Sequence, residues 1–329
     1  MNSQEVTLTI PLSITVRIGD SPAASAPSER LVSESPLLEF EQEAARPRSY
    51  YQEYKGYDPD FLGTTVPLPV LTDEQRRNAA KNSDAAEGDD PTVLPYTHFS
   101  IVMNRRRQLA YYTVVNIDGN QSTDLERGRD RWYFDSRIAE SEQIGEALYS
   151  RNKLDRGHLV RRLDPVWGSQ ARRANDDSFH FTNCSPQHAK FNQGQDLWQG
   201  LENYILDNAD ARNRKVTVFT GPVMDDQDPI YRGVRLPLAF WKIIAYVKAD
   251  GTLATAAYML EQEELVQDLV RFEAAFDPGI YRVELSHLKE RTGLDFDYLI
   301  EHELSLSADG LEAGRTRVRI KNNYENLSL

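Results

Sequence analysis

Residues 151–202 read RNKLDRGHLVRRLDPVWGSQARRANDDSFHFTNCSPQHAKFNQGQDLWQGLE. A histidine sits in a basic turn, Asp155-Arg156-Gly157-His158, and a polar cluster follows, Thr182-Asn183-Cys184-Ser185-Pro186-Gln187. Phe191-Asn192-Gln193-Gly194 then leads into a helical pattern carrying Trp198 and Glu202. Imidazole exchanges protons near neutrality, so His158 is a candidate general base. Asn192 and Glu202 offer the oxygen donors preferred by a hard ion such as Mg²⁺. Gly157 leaves room for the backbone to approach a metal or phosphate closely. Between 151 and 173 seven Lys and Arg face two Asp, a local charge of +5 in a chain of formal charge −13. A base, an oxygen-donor metal site and a basic patch point together to metal-assisted cleavage of a phosphodiester.

Outward from this stretch the blocks D-R-G-H, N-x-x-P-Q, N-Q-G and W-x-x-L-E stand in order. Phe219-Thr220-Gly221-Pro222, Phe240-Trp241-Lys242 and Thr292-Gly293-Leu294-Asp295-Phe296 extend the pattern. One four-residue string arises by chance, whereas the ordered set is specific. On these residues the chain resembles the DNA/RNA non-specific endonucleases over roughly residues 95–300. The resemblance implies an α+β protein with the ββα-metal nuclease fold: a central, mostly antiparallel sheet flanked by helices, here with an N-terminal extension. It implies His158 as general base and Asn192 as direct ligand of Mg²⁺, with Mn²⁺ able to substitute. Glu202 is expected to act through metal-bound water, Arg156 and Arg131 to contact phosphate, and Asn183 to position the histidine or the substrate. Arg161 and Arg162 add charge after the histidine that suits sequence-independent contact to the nucleic-acid backbone. DNA and/or RNA is the implied substrate, a 5′-phosphate the implied product, and a homodimer the implied assembly. The chain departs from the pattern in the residues around Gln195-Asp196, which lengthen the spacing from Asn192 to Trp198, and in Leu206, where some members carry arginine.

The rest of the composition sets bounds. The 329 residues are 40% hydrophobic and 27% charged, as in ordinary globular chains. No apolar run is long enough to span a membrane, so no membrane partner is expected. The first residues, MNSQEVTLTIPLSITVRIGD, lack a basic n-region, and their apolar positions alternate with Thr and Ser. They predict a strand rather than a signal peptide, and a cytoplasmic location unless a dedicated machine exports the chain. The single cysteine, Cys184, leaves no internal disulfide and reads as a small filler beside the site. The acidic body repels nucleic acid, so binding must rest on the local basic patch.

In chain order, the sequence predicts an N-terminal strand segment at 1–20, a linker at 21–36 and an extension at 37–94 that wraps the catalytic domain at 95–303, with a tail at 304–329. Helical spacing runs over 37–55, interrupted at Pro47. The ββα unit is expected from a strand at His158, a second at Phe179-His180-Phe181, and a helix from Leu197 to Ala209 on which Trp198, Leu201, Ile205 and Asn208 share a face. Apolar runs at 98–103, 108–117, 215–222, 239–247 and 253–260 predict sheet strands; 263–275 and 284–302 predict helices. A nuclease without a signal peptide endangers its own cell, so an inhibitor or activating partner is expected. A nucleic-acid-binding or scaffold protein on an inactive nuclease fold is the alternative.

Overall fold

The structure is a computed structural model that describes residues 44–128, 130–192, 198–211, 214–262, 266, 280–305 and 317–320. The chain divides into compact units at Met1–Glu41 and Gln42–Leu329, and all described residues belong to the second. The expected strand at 5–18, the linker and nearly all of the expected helix at 263–275 lie outside them, as do the side chains of Trp198 and Asn208.

The longer strands are β1 (Val93–Pro95), β2 (Phe99–Asn104), β3 (Leu109–Asp118), β4 (Leu154–His158), β5 (Cys184–His188), β6 (Lys215–Val223), β7 (Ala239–Val247), β8 (Leu253–Glu261), β9 (Ile280–Val283) and β10 (Arg317–Ile320). Eight of them form one sheet in the order β10-β9-β8-β7-β6-β3-β2-β1, antiparallel throughout. The helices are α1 (Asp73–Asn78), α2 (Ala171–Asp177), α3 (Ala189–Asn192), α4 (Trp198–Ala211), α5 (Leu285–Thr292) and α6 (Asp297–Ile300).

The near-continuous apolar strands are explained by burial on both faces of the sheet. In β7, Phe240 and Ile244 join one core with Leu201, Ile205 and Ala209 of α4. Their neighbours Trp241 and Ile243 join a second core on the opposite face, as alternation along a strand requires. Tyr57, Val66 and Leu71 of the extension cover that second face, together with Leu285 and Leu288 of α5. The extension is tied down locally as well. Thr72 caps α1 in a reciprocal box with Gln75, and the Gln75 amide also donates to the Thr292 carbonyl at 2.8 Å.

Three expectations need correction. The described part of 37–55 is not an α-helix: Ala45–Arg46 pairs in parallel with Phe134–Asp135, and Arg48–Tyr51 forms one 3₁₀ turn. Pro47, at φ −65° and ψ 151°, separates the two and has no N–H to continue a helix. The second strand of the ββα unit is Cys184–His188, not Phe179–Phe181. Residues Phe181–Asn183 are a 3₁₀ turn, and pairing begins only after it, with Cys184 opposite His158. The helix expected over 284–302 is broken at Gly293, whose φ of 69° closes α5 through its N–H to the Lys289 carbonyl. At the far edge, the tail strand β10 pairs with β9.

Candidate active site

Strands β4 and β5 form a two-stranded ribbon that packs between the sheet core and a third apolar cluster. Its register places Asp155 opposite Gln187, Gly157 opposite Ser185 and His158 opposite Cys184. Asn183 locks the chain just after the histidine. Its Oδ1 accepts from the Val160 N–H at 2.9 Å, and its Nδ2 donates to the Val160 and Ser178 carbonyls, each at 2.9 Å. The side chain is fully buried and does not line the site cavity. Gly157 is required by Gln187: a Cβ there would lie 2.0 Å from the glutamine Oε1. The close approach that is seen is to a side chain of the partner strand.

His158 packs against Trp132, at 4.8 Å between ring centroids, and against Phe179, at 5.1 Å edge-on, in a three-ring cluster. Its Nε2 is buried with no hydrogen-bond partner among the described residues. Burial holds its pKa well below the ordinary 6.5; Asp130 opposes this, while Arg127, Arg162 and Arg156 reinforce it. The imidazole is therefore neutral at physiological pH, and the same burial lowers its basicity.

A cavity of about 880 Å³ brings His158 together with Asn192, Glu202, Arg156, Arg161 and Arg162. The helix α3 follows β5 directly and carries Asn192, whose Nδ2 donates to Asp155 Oδ2 at 3.1 Å. A carboxylate can only accept, so this contact fixes the amide orientation and leaves Asn192 Oδ1 as its remaining acceptor. On α4, Glu202 Oε1 stands 3.2 Å from the Nζ of Lys242 in β7, with only 10% of the Glu202 side chain exposed and 1% of Lys242. The lysine also donates to Thr220 Oγ1 at 3.0 Å and to the Leu159 carbonyl at 3.4 Å. Asp164, close to this pair, has its pKa pushed up to about 7, burial outweighing Arg161 and Lys242.

The arginines differ in their engagement. Arg156 pairs with Glu146 and leaves its buried Nε without a partner among the described residues. Arg161 reaches α4, donating to the Glu202 carbonyl at 3.1 Å and Asn203 Oδ1 at 2.7 Å. Arg162 donates to the Leu125 carbonyl and Asn175 Oδ1. Arg131 does not line the His158 cavity. It sits in a neighbouring depression, 5.4 Å from the Tyr133 ring centroid, and Arg127 and Asp130 occupy the cavity wall instead.

Sequence reasoning passed over Asp155, Glu146, Arg127, Asp130 and Lys242 as parts of the site. Lys242 had a signal, as the lone charge within the strand AFWKIIAYV. Asp155 stood in the D-R-G-H block, whereas Glu146, Arg127 and Asp130 reach the cavity only through the fold.

A divalent ion would find one amide oxygen with no partner among the described residues, Asn192 Oδ1, and a carboxylate shared with Lys242. Among the described residues no group of three or more His, Cys, Asp or Glu is placed to hold a metal. That donor set fits Mg²⁺, which keeps most of its water, and does not fit a site built from three protein ligands.

An antiparallel ribbon bearing His158, followed by helices bearing Asn192 and Glu202, is a ββα arrangement. The model of the DNA/RNA non-specific endonuclease family matches residues 77–301, and the chain belongs to that family. An uncharacterized protein of Sinorhizobium fredii, y4fB, is 43% identical over 295 residues, 84% of this chain and 43% of its own length. Mitochondrial endonuclease G of Bos taurus is 25% identical over 155 residues, 44% of this chain and 48% of its own. Among solved structures, an EndoG/EndoGI complex matches at 18% identity and a TM-score of 0.49, covering 71% of this chain and 94% of that one. The chain spans less than half the length of these curated relatives.

Proposed function

We propose that this protein is a Mg²⁺-dependent endonuclease that hydrolyses DNA and/or RNA with little sequence preference and leaves 5′-phosphate ends. The observation that carries the reading is the orphaned, neutral His158 Nε2, in one cavity with Asn192 and Glu202. Family membership supports the same chemistry.

His158 takes the proton from an attacking water and holds it on Nε2, an atom with no competing partner among the described residues. Trp132 and Phe179, in contact with each other and with the imidazole, hold the ring in place. Asn192 would hold the cation directly and Glu202 through water, and the ion supplies positive charge to the phosphoryl and leaving oxygens. Lys242 and Asp155 orient these two side chains from behind. Arg156 turns its guanidinium between Glu146 and the phosphate.

The test is digestion of plasmid DNA and of RNA with Mg²⁺, with EDTA, and by His158→Ala. Degradation that needs the metal and is lost in the variant supports the reading. Activity that survives EDTA, or survives loss of His158, removes it.

A further inference from the structure

Beside the His158 cavity lies a depression of about 220 Å³ lined in part by Arg46, Arg131, Arg162 and Arg172. Arg162 lines both spaces. Phe179 lines the depression while its ring packs edge-on against His158. Four arginines face two carboxylates there, Glu126 and Asp176, and Asp176 already accepts from Asn175 at 3.0 Å. Positive charge is therefore in excess. Arg162 has a lowered pKa, with desolvation the largest cause and the neighbouring Arg127 and Arg161 adding to it.

Arg46 is the informative member, because it comes from the extension and lies outside the segment matched by the family model. Strand pairing places it opposite Asp135. Its guanidinium carbon stands 3.7 Å from the Tyr133 ring centroid and 4.6 Å from that of Tyr50. Its buried Nε has no hydrogen-bond partner among the described residues. Stacking holds the planar group in place while leaving a donor unused, which lowers the entropy cost of gripping an anion. The extension that delivers it is pinned from below: Tyr50 and Tyr54 both donate to buried Asp177, at 2.7 and 2.6 Å.

We propose that the Arg46 depression is a second phosphate subsite, which holds a backbone phosphate of the same nucleic-acid strand whose scissile bond lies over His158. The extension is thereby part of the substrate-binding surface. This rests on the proposed nuclease function for the identity of the strand, but the subsite is tested by binding alone.

The experiment measures binding of a long labelled DNA duplex and a labelled dinucleotide to full-length His158→Ala protein across a salt series, with Arg46→Ala, Arg46→Lys and Arg172→Ala added in turn. We expect Arg46→Ala to weaken duplex binding about tenfold and to reduce the slope of log K against log salt by about one. Dinucleotide binding should be unchanged, and lysine at position 46 should restore the slope. Arg172 is exposed and makes no hydrogen bond or ion pair among the described residues, so Arg172→Ala reads the subsite without disturbing the fold. It should lower the slope as well.

An unchanged slope in both alanine variants overturns the subsite, even where wild-type protein digests DNA. Equal loss for duplex and dinucleotide overturns the assignment to a flanking phosphate. A reduced slope in a protein that never cleaves leaves the subsite standing and removes the nuclease reading.

Discussion

The two adjoining cavities are built in different ways. The His158 cavity takes its base, its orienting Asp155 and its Asn192 from one ribbon and the short helix that follows it. The Arg46 depression collects Arg46, Arg131, Arg162 and Arg172 from separate stretches, and one of these belongs to the extension. The first has local geometry fixed by strand register; the second exists only after the extension docks. Chemistry should therefore fail abruptly when the first is altered, and reach along the substrate should fade gradually when the second is.

The largest effect belongs to His158. His158→Ala should lower kcat by about 10²- to 10⁴-fold with little change in duplex affinity. An equal loss in affinity would erase the distinction between the two cavities. Next comes the support for Glu202. Lys242→Met leaves a carboxylate, only 10% exposed, facing no cation on β7. A loss of about 10- to 100-fold in kcat is expected, with a shift to higher Mg²⁺ demand. Stability should also fall by about 3 kcal/mol, as when one partner of a buried ion pair is removed. A Mg²⁺ titration of activity beside a urea titration separates the two effects.

A smaller effect crosses between the regions. Asp177 is fully buried and accepts from Tyr50, Tyr54 and the Thr97 N–H. Asp177→Ala strands these donors and should cost about 2–3 kcal/mol. It loosens the segment carrying Arg46, so it should lower the salt slope of binding as Arg46→Ala does. It should leave the acid limb of kcat/KM in place. That limb should lie below pH 6.5, because His158 stays neutral to lower pH than free imidazole. A limb at or above 6.5 contradicts the burial argument.

How far these features could be seen in the sequence follows the same division. The ordered blocks named His158 and Asn192, and the ribbon and its helix bring both into one cavity. The sheet strands were visible because burial on both faces leaves unbroken apolar runs. The second ribbon strand was misplaced because CSPQH carries no apolar alternation; its register comes from Asn183 and from Gln187 seated on Gly157. Arg131 carried a role by resemblance, yet lines the neighbouring depression. Arg46 could not be found at all, since stacking on Tyr133 across 87 positions leaves no pattern in the chain.

The smallest effect compares one histidine from each region as a function of pH. His158 lines the first cavity, and His180 lies beneath the second, 6.0 Å from the Tyr50 ring and bonded to Tyr51 Oη at 2.9 Å. Burial lowers the pKa of both below 6.5. The unfolded chain then takes up a proton near 6.5 that the folded chain refuses, so folding stability falls as pH drops below that value. Asp164, Asp228 and Glu303 act in the opposite direction, because burial raises their pKa and favours the folded state as pH falls toward the ordinary carboxylate range. The bare pH dependence of stability is thus a mixture, and a difference between variants isolates each histidine. His180→Gln and His158→Gln should each flatten the change in urea-unfolding free energy between pH 7 and 5.5 by about 1 kcal/mol. His158, whose pKa burial lowers to about 3, should give at least as large a share as His180. A clearly smaller share at His158 would mean that burial does not set its protonation.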